Sequence, residues 1–137
     1  MEQILVVDDS HLIRSFVKMG LKKYGFDALL FEDASKAYRA LGEEKGPMPR
    51  LIFADVDMPK ITGYSFVRML KSDPRTKYIP IVMVTSNNTE WDRKHAKECG
   101  VVDFVVKPFP IETLITIVKR HAITPTIPVT EAAPVQS

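Results

Sequence analysis

Ile4-Leu5-Val6-Val7-Asp8-Asp9-Ser10 places four unbroken apolar residues directly before two acids. An apolar run without alternation marks a strand covered on both faces, the habit of parallel sheets. The same form recurs at Ala28-Leu29-Leu30-Phe31, Leu51-Ile52-Phe53-Ala54 and Ile81-Val82-Met83-Val84, and more weakly at Phe104-Val105-Val106. Helical spacing fills the gaps. Ile13, Phe16, Val17, Gly20, Leu21 and Tyr24 predict one apolar face on a first helix. Ile111, Leu114, Ile115, Val118 and Ala122 predict another on a fifth, with Ile117 off the buried face as an exposed apolar contact. Residues 34–44, 63–72 and 89–99 read as three further helices. Ser10 and either Asn88 or Thr89 suit helix starts, Pro110 suits a first turn, and Gly25 and Gly100 stand where helices end. Five β-α units in series predict an α/β fold: a five-stranded parallel sheet, right-handed crossovers and helices on both faces.

The remainder of the chain narrows its class. Its 137 residues suit one domain. Lys and Arg number 19 against 17 Asp and Glu, a net charge of +2 that gives no footing for a nucleic-acid partner. A hydrophobic fraction of 45% excludes wholesale disorder. The single Cys99 forms no internal disulfide, which points to a reducing, cytoplasmic compartment. No apolar run reaches the ~18 residues of a membrane span, and Met1 leads into Glu2-Gln3 rather than a signal peptide. Residues 124–137 carry Pro125, Pro128 and Pro134 among Thr, Val and Ala, with Glu131 the one charge, and are expected to form a disordered Pro/Thr-rich tail.

In open α/β sheets ligands bind beyond the carboxyl ends of the strands. There the chain places Asp8 and Asp9 after strand 1, Asp55 and then Asp57 at the end of strand 3, Thr85 after strand 4 and Lys107 after strand 5. Asp8, Asp9 and Asp55 are expected to converge in one crevice, with Asp57 a fourth acid at the same end. Like charges raise one another's pKa, and a divalent cation relieves them. An all-oxygen donor set suits Mg²⁺ or Mn²⁺, whereas zinc prefers His or Cys. With a lysine and a hydroxyl added, these are the parts of a phosphoryl-transfer centre. Asp55, alone on a central strand, is the better nucleophile, and the Asp8-Asp9 pair suits the metal. His11 and His95 lack companion ligands.

These segments closely resemble the response-regulator receiver domain of two-component signalling. The resemblance rests on Ile4 to Ser10, on Asp55-Val56-Asp57-Met58-Pro59 with Gly63 following, on Val82-Met83-Val84-Thr85-Ser86, and on Phe104-Val105-Val106-Lys107-Pro108-Phe109. It spans about residues 1–123, and the four segments together are far more specific than any one. It implies a flavodoxin-like (βα)5 fold in a stand-alone member similar to the single-domain chemotaxis regulators. It further implies Asp55 as phosphoacceptor and Mg²⁺ bound by Asp8, Asp9, Asp55 and the backbone carbonyl of Asp57. Lys107 is the implied phosphoryl contact, Thr85 and Phe104 the switch pair, and Lys107-Pro108 a cis peptide.

The implied partners are a histidine kinase or histidine phosphotransfer protein, met by Arg14, Lys18, Lys22 and Lys23 around the polar side of helix 1. A downstream protein target is implied on the face made by helix 4, strand 5 and helix 5, where Trp91, Arg93, Lys94 and Lys97 lie. Such a protein accepts and loses a phosphoryl group and is not a turnover enzyme. Two rival functions remain. Asp55-Val56-Asp57 is also an Asp-x-Asp of the haloacid-dehalogenase phosphatase kind, though in that family it normally follows the first strand. A receiver that only docks, without phosphorylation, is the other; a flavodoxin-like FMN binder is disfavoured because acids, not donors, follow strand 1.

Overall fold

The computed structural model describes residues 2–121. The expected tail at 124–137, and Ala122 of the fifth helix, lie outside the described residues. The elements run β1 (Glu2–Val7), α1 (His11–Lys23), β2 (Phe26–Phe31), α2 (Ala34–Gly42), β3 (Leu51–Asp55), α3 (Gly63–Lys71), β4 (Ile81–Thr85), α4 (Glu90–Glu98), β5 (Asp103–Val106) and α5 (Ile111–His121). The sheet is parallel throughout, in the order β2-β1-β3-β4-β5. Chain order therefore reverses between β1 and β3, whose carboxyl ends meet at the switch point where open sheets bind ligands.

Alternation along each strand builds two cores. Ile4 and Val6 of β1 pack with Phe53, Val82, Val84 and Val105 beneath α1 and α5. Leu5 and Val7 face the other way, with Ile52, Ala54, Ile81 and Met83, beneath α2, α3 and Ala96 of α4. β3 and β4 are buried at every position, which is why their sequences show no polar face.

The local signals are realised in detail. Ser10 caps α1 through the Ile13 N–H at 3.3 Å. Thr89, rather than Asn88, caps α4, and Thr89 and Asp92 form a reciprocal capping box. Gly25 and Gly100 take φ of +88° and +92°, the left-handed conformation that stops a helix. β2 begins at Phe26, earlier than the apolar run implies, because Phe26 is buried and pairs with Glu2 of β1.

Three expectations about faces are corrected. Ile117 is buried, only 6% exposed, because α5 packs against both α1 and the sheet and so buries a wide arc with Leu114, Ile115 and Val118. Phe16 and Tyr24 are instead partly exposed, at 43% and 42%, where Phe16 meets the ring of Phe109 and Tyr24 lies under the Lys119 ammonium.

Candidate functional site

β1 ends in Val7 and the chain turns at once into α1, so Asp8 stays buried at the strand mouth while Asp9 is exposed. The Asp8 carboxylate is fixed locally, accepting the Ser10 N–H at 2.9 Å. Its carbonyl accepts from the Arg14 guanidinium at 2.7 Å. β3 carries Asp55 into the same space, 3% exposed. The two aspartates and Asp9 place a carboxylate oxygen each within 4.8 Å of one another.

Lys107 closes the pocket. Its Nζ lies 2.9 Å from Asp8 Oδ2 and 3.4 Å from Asp55 Oδ1. The lysine leaves β5 through a backbone bond from its N–H to the Thr85 carbonyl at 2.7 Å, just before a cis Lys107-Pro108 peptide. Thr85, 1% exposed, ends β4 between Asp55 and Lys107, and its hydroxyl accepts the Asn87 N–H at 3.0 Å.

The electrostatics follow from this crowding. Burial pushes the Asp55 carboxyl up to about 6, and the Asp8 charge adds to the effect, against the pull of Lys107 and of the Asp57 N–H. Burial works against the Lys107 charge, but the hydrogen bonds and charges of Asp8 and Asp55 outweigh it and its pKa rises. One ammonium thus serves a pocket of three carboxylates, which retains unbalanced negative charge. Oxygen donors alone, at this spacing, fit a hard divalent cation such as Mg²⁺ or Mn²⁺.

The sequence-predicted residues Asp8, Asp9, Asp55 and Lys107 are brought together, with Thr85 at the adjoining strand end. Asp57, expected as a fourth acid at the same end of the sheet, has an exposed side chain that stands outside the carboxylate cluster. It follows Val56, whose N–H already pairs with the Val84 carbonyl, and its own N–H points back to Asp55 Oδ1 at 3.4 Å. Phe104 is half-buried against the α2–α4 core and lines a groove between α4 and β5 with Arg93, Ala96, Lys97 and Val106.

Two supporting residues were not assigned to the site from sequence. Arg14 was expected on the outer side of α1, yet it ties down the loop carrying Asp8; its position six residues after that acid is the only signal in the chain. Gly63 starts α3 where any Cβ would lie 2.4 Å from the Asp55 carbonyl oxygen, so the absence of a side chain allows the helix to abut the acidic loop. The rival phosphatase reading finds no support, because Asp55-Val56-Asp57 leaves β3 and not β1.

Comparison with known proteins agrees with this geometry. A family model described as the response regulator receiver domain matches residues 4–119. The chain is 37% identical over 117 residues to the phosphate regulon transcriptional regulatory protein PhoB of Escherichia coli, covering 85% of this chain and 50% of that protein. It thus spans about half the length of the PhoB relatives it matches. The chemotaxis protein CheY4 of Vibrio cholerae superposes with a TM-score of 0.80 at 31% identity, covering 88% of this chain and 98% of that one. The receiver domain of sensor histidine kinase PA1611 from Pseudomonas aeruginosa, solved with magnesium in its active-site cleft, gives 0.79 at 25% identity, over 90% and 98% of the two chains.

Proposed function

The chain belongs to the response-regulator receiver family of two-component systems, and from that premise we propose that Asp55 accepts a phosphoryl group from a phosphohistidine on a histidine kinase or phosphotransfer protein. The observation that carries this reading is the buried Asp55 carboxylate, clustered with Asp8 and Asp9 and touched by Lys107. An oxygen of ionised Asp55 attacks phosphorus, the phosphorus–nitrogen bond breaks, and the electron pair leaves with the partner's imidazole. Hydrolysis reverses the state: water attacks phosphorus, the acyl-phosphate bond breaks, and carboxylate and inorganic phosphate result.

Asp8, Asp9, Asp55 and the Asp57 carbonyl are the groups that would hold Mg²⁺, or Mn²⁺, in the pocket. When bound there, the cation offsets the charge that spreads over the transferring phosphoryl oxygens. Lys107 moves with the charge: its Nζ already lies between Asp8 and Asp55 and is placed to pair with a phosphoryl oxygen on the latter. Phosphorylation turns one carboxylate into a group of about −1.5 to −2 charge. Thr85 then donates its hydroxyl to that group, and Phe104 fills the space it leaves. The groove between α4 and β5 changes shape, and a protein target reads the face of α4, β5 and α5.

On this reading the receiver unit extends through about residue 123. It acts as a cytoplasmic phosphoacceptor and not as a turnover enzyme. Among the described residues no helix is long and apolar enough to cross a membrane.

The test is direct. The protein is incubated with acetyl phosphate and Mg²⁺ and weighed intact. One phosphoryl adduct is expected, absent from Asp55→Asn and from samples freed of metal by chelation. Failure to form an adduct with any small phosphodonor or divalent ion overturns the proposal.

A further inference from the structure

α4 is poorly anchored by apolar burial, since Ala96 is its only buried residue. A column of rings stands in for a core. The Tyr64 ring of α3 meets His95 of α4 edge-on, with centroids 4.3 Å apart. His95 in turn stacks on Trp91 at 4.9 Å and 14°. The Tyr64 hydroxyl donates to the Asp92 carbonyl at 3.5 Å, a second tie from α3 to α4. Trp91, the only tryptophan of the chain, is otherwise 66% exposed.

The other end of this column reaches the acidic pocket. Tyr64 follows Gly63, whose N–H donates to the Val56 carbonyl at 3.0 Å. A Cβ on Gly63 would lie 2.8 Å from Val56 Cα, so the backbones of the first turn of α3 and of the loop after Asp55 are in direct contact. In a close-packed interior, a shift of one presses on the other. The Tyr64 hydroxyl pKa is raised, by burial first and then by Asp92, Cys99 and Asp57.

We infer that Tyr64 is a positioning residue that carries displacement of the Asp55–Asp57 loop to α4 through His95 and Trp91. This route runs on the α3 side of the site, separate from Thr85 and Phe104 on β4 and β5. It rests on the reading of Asp55 as phosphoacceptor. Aromatic pairs of this kind contribute beyond their buried area and hold a defined geometry, so they transmit orientation where a loose aliphatic contact would yield. Trp91 is the built-in reporter, because its indole lies against an imidazole that moves with Tyr64.

The experiment reads site and relay separately on the full chain. Acetyl phosphate and Mg²⁺ are added, intact mass measures the phosphoryl adduct, and Trp91 emission is followed in the same sample. In the wild type, emission changes in step with the adduct. Tyr64→Leu retains the adduct within about twofold but loses at least three-quarters of the emission change. Tyr64→Phe, which keeps the ring, restores more than half of it. Should Tyr64→Leu fail to fold, His95→Leu breaks the same contact from α4 and is expected to behave alike. An adduct without any emission change in the wild type, or an undiminished change in both Leu variants, overturns the relay while leaving the phosphoacceptor intact. Absence of adduct in the wild type removes the phosphoacceptor reading and the relay with it.

Discussion

α4 and α5 flank the same edge strand, β5, yet they are held in opposite ways. α5 buries Leu114, Ile115, Ile117 and Val118. α4 buries Ala96 alone and relies on a capping box and a ring stack. At roughly 1.5–3 kcal/mol for each fully buried large apolar side chain, α5 is committed to the core several times over. α4 has little to lose by moving. Low local stability is what a switching element requires, and the candidate site lies at the carboxyl ends of β1, β3, β4 and β5.

The sharpest way to break this contrast is to cut into α5. Leu114→Ala is expected to cost about 2–5 kcal/mol, a fully buried leucine being replaced by a cavity. Denaturant unfolding measures it, and a loss below 1 kcal/mol would mean α5 is no better anchored than α4.

Site charge comes next in size. The Asp55 pKa stands near 6 in the fold against 3.8 for the free group. The folded state therefore holds this proton more tightly than the unfolded chain. Metal-free stability is lost as pH rises from about 4 through 6, and the loss is complete above that window. About 1–3 kcal/mol is expected, from a shift near two units at 1.36 kcal/mol each and the partial relaxation of the site. Asp55→Asn should match the wild type near pH 4, exceed it at pH 8, and melt higher there. A wild type that gains stability over the same pH interval relative to this variant contradicts the assignment.

A smaller effect tests α4 itself. Thr89→Ala removes the cap and half the capping box, at about 1 kcal/mol. Hydrogen exchange should quicken across 90–98 and stay nearly constant across 111–121, because α4 opens locally. Equal acceleration in both helices would show that they unfold together. Smallest of all is Arg93→Ala on the exposed face of α4, whose guanidinium contacts Asn88 at 2.7 Å. Less than about 0.5 kcal/mol is expected in melting, as for other exposed polar pairs.

The comparison of helices also shows where sequence reading is strong. The α5 pattern placed Leu114, Ile115 and Val118 correctly, since burial on this scale leaves a periodic apolar trace. Ile117 was misplaced because the width of the buried arc depends on α1 lying alongside, a neighbour that periodicity within one helix does not encode. α4 left a faint trace for the converse reason: its contacts are aromatic and polar, made by Tyr64, His95 and Trp91 from two helices. The same division runs through the site. Asp8, Asp9, Asp55 and Lys107 were legible because each stands at the end of an apolar run and parallel topology sends all strand ends to one side. Arg14 was not, because its work is a bond to a backbone carbonyl, which no residue pattern announces.

By itself the sequence determined the five β-α units, the parallel sheet and the acids at its carboxyl edge, because burial, chain reversal and handedness act through short-range pattern. Only the tertiary structure decided which acids share one pocket, that Asp57 turns its side chain outward, and that Lys107 stands 2.9 Å from Asp8. Those outcomes depend on distances between chain segments far apart in sequence, fixed by the packing of two cores against one sheet.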